Sequence, residues 1–194
     1  MKELDPILEK HLPRVLRFRK TLSQETDRGC AMIAAAFLDS ELATLLRHSL
    51  VQDERAQAEF LTGKNGPLGS FSSRIDAAYL LGKMSLAVHR ELHLIRRIRN
   101  EFGHDPEPIT FNHAPIASRC RELRYSPHKG SASPRGHFTS SACGILAAIH
   151  VADMSSQPPV VPKDLLPTDK MKKEVFELTK AVFKALKPRP KKRK

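Results

Sequence analysis

The sequence predicts an all-α protein, and three observations carry that reading. Aromatic residues are only 6% of the chain, with no Trp and two Tyr, which disfavours a β-sandwich. Apolar residues recur at helical spacing through several long segments, and no segment shows strand alternation. The 194 residues are 40% hydrophobic and 28% charged, enough for one core with little room for a second. The expected architecture is a single bundle of about five to seven helices, followed by a flexible basic C-terminal tail.

The elements follow in chain order. Residues 1–22 mix charge with Leu and Ile and are interrupted by Pro6 and Pro13, which suggests a short helix pair or N-terminal arm. An all-helical domain is expected over residues 23–154. Its first long helix begins at Thr26 or Asp27, either a good N-cap, and runs to about Leu50 with Ile33, Phe37, Leu38, Leu42, Leu45 and Leu46 at helical spacing. Gln52–Leu61 reads as a further helix. The segment 63–70 is a loop by its three glycines and one proline. It lacks the glycine and hydroxyl residue of a phosphate-binding loop, because Ala58 and Asn65 stand at those places. Ser70 or Ser72 then caps a helix closed by Gly82.

The next helix runs from about Ser85 to Phe102 and is stopped by Asp105-Pro106-Glu107-Pro108. A short helix (Pro115–Leu123), a loop (Tyr125–Gly136) and a helix over Thr139–Ala152 follow. Residues 155–194 read as a linker with four prolines up to Pro167, an amphipathic helix (Thr168–Leu186) and a basic tail.

Charge and cysteine usage exclude several classes. The net charge is +12, yet residues 163–194 hold twelve Lys/Arg against four Asp/Glu, leaving only +4 on the rest. Basicity is therefore mainly a property of the tail. Cys30, Cys120 and Cys143 form no CxxC pair, so neither a disulfide framework nor a zinc knuckle is expected. The longest uninterrupted apolar run, Ala31–Leu38, is far too short to span a bilayer, and no signal-peptide core opens the chain. A cytoplasmic protein with buried thiols, no membrane association and no cofactor is the expectation.

The segment His89–His104 carries the most chemical information. At about 100° per residue, Val88, Leu92, Ile95, Ile98 and Phe102 share one arc. His89, His93, Arg96, Arg97, Asn100 and His104 share the opposite arc, with Arg99 at the border. The simplest account is a solvated basic face. Its one-sidedness, with no acid among these side chains, instead invites an anionic partner. A histidine can take a proton from a 2′-hydroxyl near neutral pH, and an arginine can stabilise charge developing on phosphate. His89 and His93 have a metal-compatible spacing. However, Arg90 stands where zinc proteases carry Glu and the adjacent arginines repel a cation, so no metal is expected.

Two resemblances follow from these residues. Arg99-Asn100-x-x-x-His104 resembles the Arg-x(4–6)-His motif of HEPN-domain ribonucleases, which are all-α and metal-independent. That resemblance implies a composite catalytic site of Arg99, Asn100 and His104 from two copies of the chain.

Three blocks taken together resemble the mannitol repressor family of bacteria over roughly residues 20–152: Glu25–Gly29, Leu68–Ile75 and Ile95–His104. The resemblance implies an all-helical cytoplasmic regulator without an evident helix-turn-helix, acting through protein or nucleic-acid contacts. Gly103 departs from the family's more usual Ala and loosens the last turn before His104, and the segment from about Ser155 looks like an addition.

Candidate binding residues are Asp27, Arg28, Ser70, Arg74, His93, Arg96 and Arg97. Asp27 and Arg28 are expected to link to the Ser70–Arg74 segment, either as a pocket or as a brace. Lys187, Arg189, Lys191, Lys192, Arg193 and Lys194 form a tail suited to salt-sensitive phosphate contacts. Three functions compete: a regulatory protein with a protein partner, a HEPN-like ribonuclease, and a module binding RNA or DNA through the basic face and tail. A homodimer through the Ser85–His104 helix is the expected assembly.

Overall fold

The computed structural model describes residues 6–62, 66–126, 132–162 and 166–186. Among the described residues there are eight helices and no strand: α1 (Pro6–Gln24), α2 (Asp27–Ser49), α3 (Glu54–Leu61), α4 (Phe71–Leu80), α5 (Leu86–His104), α6 (Ala114–Glu122), α7 (Pro134–Met154) and α8 (Asp169–Leu186). Helices α1–α7 belong to one compact unit, residues 1–160, and α8 belongs to a second, residues 161–194.

Local chemistry sets most helix ends. Thr26 caps α2 by accepting the Gly29 N–H, and Asp53 caps α3 by accepting the Ala56 N–H. Ser70 and Ser73 cap α4 reciprocally. Gly82 closes α4 at φ +68°. The Lys83 N–H bonds to the Ala78 carbonyl and the Gly82 N–H to that of Tyr79, a Schellman ending.

Three boundaries differ from the sequence expectation. Pro6 and Pro13 do not divide the N-terminal segment. Pro6 sits at the first position of α1, where its missing N–H costs nothing, and the helix continues through Pro13. The last turns of α1 bury Phe18 and Leu22 in the core. Helix α5 holds through Gly103 to His104. Helix α7 begins at Pro134 rather than near Thr139, because Ser133 caps it and Pro134 takes the first helical position.

Helix α2 lies at the centre of the unit and packs against α1, α3, α4, α5 and α7. Cys30, Ala31, Ala34, Leu38, Leu42, Leu45 and Leu46 are essentially solvent-free. Although its uninterrupted apolar run is short, α2 as a whole is long and apolar enough to cross a membrane by length and composition, and half of its most apolar stretch is buried inside the unit. The small residues of its first half admit close neighbours. On the far side, Gly144 of α7 lies against Tyr125, where an added Cβ would stand 3.0 Å from the ring and 3.2 Å from the carbonyl oxygen. Phe102, Phe111 and Phe138 form a chain of ring contacts 5.0 Å apart between α5, the following loop and α7. A buried carboxylate ties three helices together: Glu41 of α2 pairs with Arg14 of α1 and with His150 of α7.

In the second unit, α8 buries none of its residues, and its apolar stripe of Met171, Val175, Leu178, Val182 and Leu186 is exposed.

Candidate functional site

Helix α5 divides into the two faces expected from its spacing. Val88, Leu92, Ile95, Ile98 and Phe102 are buried. Along the other face run two open clefts that share Arg97.

The first cleft, of about 550 Å³, is lined by Arg97, Asn100, Glu101 and His104 of α5, by Asp105 and Pro106, and by Arg119 of α6. Arg119 pairs with Glu101 at 2.7 Å, so the two charges offset each other. Arg97 has no ion-pair partner among the described residues and is the cation left to the cleft. Arg99 is not among its lining residues, since one helix position turns a side chain through about 100°. The structure therefore brings Asn100 and His104 together with Arg97, and not with Arg99.

The second cleft, of about 510 Å³, is lined by His89, Arg90, His93, Leu94, Arg96 and Arg97 of α5 and by Glu122 of α6. Beside this cleft α4 supplies an acid, Asp76, that the sequence reading missed. The His89 Nε2–H and the His93 Nε2–H both donate to Asp76 Oδ1, at 2.8 and 3.0 Å, and the two Nε2 atoms are 3.3 Å apart. The hydrogen bond from His89, opposed by burial and joined by the bond from His93, holds the Asp76 carboxyl below the usual carboxylate range. The Tyr79 ring packs against the His89 ring in a tilted contact, centroids 4.6 Å apart. Asp76 lies five residues after Phe71, the first residue of α4, and α4 packs against α5.

The remaining candidates make their contacts within the fold. Asp27 and Arg28 do not reach the Ser70–Arg74 segment. Asp27 pairs with Arg135 of α7 at 2.7 Å and accepts the Phe111 N–H at 2.8 Å. Arg28 donates to the carbonyls of Asp105 and Glu107, fastening the loop after α5. Ser70 caps α4, and the buried Arg74 pairs with Asp39 at 2.6 Å and donates to the Leu61 carbonyl. Twelve helical positions separate Asp27 from Asp39 on α2, about 18 Å along its axis, which is why the two groups form separate clusters. The tail residues Lys187, Arg189, Lys191, Lys192, Arg193 and Lys194 lie outside the described residues.

Comparison with solved structures gives the fold a relative. The X-ray structure of the MtlR–HPr complex from Escherichia coli is similar with a TM-score of 0.57 at 21% identity, the match covering 70% of this chain and 98% of that chain. The fold is MtlR-like. No protein-family model and no curated protein sequence matches the chain.

Proposed function

We propose that this protein is a regulator of the MtlR kind, with a role in mannitol-related control, that works by docking a protein partner rather than by turnover. The observation that carries this reading is the shared fold, which spans nearly the whole of a chain solved in complex with HPr. HPr, or a protein like it, is accordingly the partner to test first.

The solvent face of α5 is the surface we assign to docking. It presents Arg90 and Arg97 exposed and Arg96 half-buried along two adjoining clefts, and none of the three has an ion-pair partner among the described residues. Unpaired guanidinium groups on a rigid helix suit a partner surface bearing carboxylates or phosphate. In this reading Asn100 and His104 extend the same surface.

Isothermal titration of the full chain with HPr of its own organism, in EDTA, tests the proposal. A one-to-one complex is expected, weakened roughly tenfold or more by Arg97→Glu and weakened further by salt. Absence of binding by the wild-type protein refutes it. Metal-free cleavage of RNA by the wild type, lost in His104→Ala and Arg99→Ala with the helical content unchanged, would instead make the protein a HEPN-like ribonuclease.

A further inference from the structure

We infer that Asp76, His89 and His93 form a binding site for one divalent transition-metal ion of the zinc class, with a coordination position left open toward solvent. The three atoms that would ligate are Asp76 Oδ1, His89 Nε2 and His93 Nε2. Their separations are 2.8, 3.0 and 3.3 Å. Ligand atoms held about 2.0–2.1 Å from a tetrahedral zinc stand roughly 3.3 Å apart, so this trio has close to the spacing such an ion needs. Two imidazoles and one carboxylate are also the donor set of open zinc sites.

Protons serve this arrangement poorly. Both imidazoles aim a donor at the same carboxylate oxygen, and that places two N–H groups beside each other at 3.3 Å. A single divalent ion replaces both protons and satisfies all three atoms at once. The scaffold is stiff: the two histidines are one turn apart on α5, and Asp76 follows the buried Ile75 on α4, which packs against α5. Tyr79 fixes the His89 ring from one side. His89 and His93 are about one-fifth exposed and Asp76 about one-half, which leaves room for a solvent or anionic ligand. Arg90, Arg96 and Arg97 line the cleft beside the histidines and oppose a cation. Asp76 offsets one of these three charges at the site, and the remainder favours an anion in the open position.

The test uses the full chain freed of metal with EDTA and then dialysed. Zn²⁺ titration is expected to show one equivalent bound, and Co²⁺ to give the visible bands of a four-coordinate site. Asp76→Asn and His93→Ala should each weaken zinc roughly tenfold or more with unchanged circular dichroism. His48→Ala, which touches a separate His–Asp pair, should bind as the wild type does. No zinc binding by the wild type, or equal affinity in the Asp76 and His93 variants, overturns the inference and leaves the trio an ion-pair brace. Because the HPr titration is run in EDTA, the two proposals fail independently.

Discussion

Asp27 and Arg135, 108 positions apart in the chain, form an ion pair at 2.7 Å that joins the start of α2 to the start of α7. Backbone groups add to the pair. Asp27 also accepts the Phe111 N–H, and Arg135 also donates to the carbonyls of Leu22 and Glu25. Asp27→Ala removes the acceptor for both groups and is expected to cost about 2–3 kcal/mol. Urea denaturation at neutral pH measures it. A loss within experimental error would show that the junction is held by the surrounding apolar packing alone.

Glu41 and Glu91 are both buried carboxyls, but their pH responses should have opposite signs. Burial alone would raise the Glu41 carboxyl. The hydrogen bond from His150 and the Arg14 guanidinium overcome that and hold it below the usual range. Its stabilisation is therefore present above the unfolded carboxylate range and lost as pH falls through the lower folded value. Glu91 is pushed up by burial, against backbone N–H bonds from Arg124 and Tyr125. Its contribution is fullest below the unfolded range and declines as pH rises through the folded value. Glu41→Gln should thus destabilise the protein at pH 7 and lose its effect in acid. Glu91→Gln should be relatively more favourable at pH 7 than in acid. Denaturation midpoints of both variants against the wild type, from neutral to acidic pH, check the two slopes.

Gly103 is exposed within the last turn of α5, and an added Cβ would meet only Met32 Sδ, at 3.9 Å. Gly103→Ala should raise stability by about 0.5–1 kcal/mol, because the backbone there is helical and the substitution restricts the unfolded chain. Thermal melting followed by circular dichroism reads the change. A decrease would mean that α5 requires a looser end at His104.

The three thiols should be inert in the folded protein. Burial pushes Cys30 up to about 11 and Cys120 up to about 12, and it raises Cys143 as well. Thiolate, the reactive form, is then scarce at neutral pH, and all three side chains are shielded. A thiol-reactive dye should label none of them at pH 7.5 within minutes and all three in denaturant. Rapid labelling of the native protein would contradict the packing around α2.

The helical class was legible in the sequence, as were most helix starts and the buried face of α5. These follow from interactions within a few residues of one another. Thr26, Asp53, Ser70 and Ser85 cap the helices that follow them, and the apolar positions of α5 recur at the helical period. What those local rules leave open is which faces meet. Only packing put Asp76 of α4 opposite His89 and His93, turned Arg97 rather than Arg99 into the cleft with His104, and matched Asp27 with Arg135 instead of with the Ser70–Arg74 segment. A helix carries its side chains at fixed angles, but the crossing and register of two helices depend on the whole core. The sequence by itself determined the helices and their amphipathic faces. The tertiary structure decided which polar groups converge, because those contacts join residues far apart in the chain whose separation is set only once the apolar faces are buried.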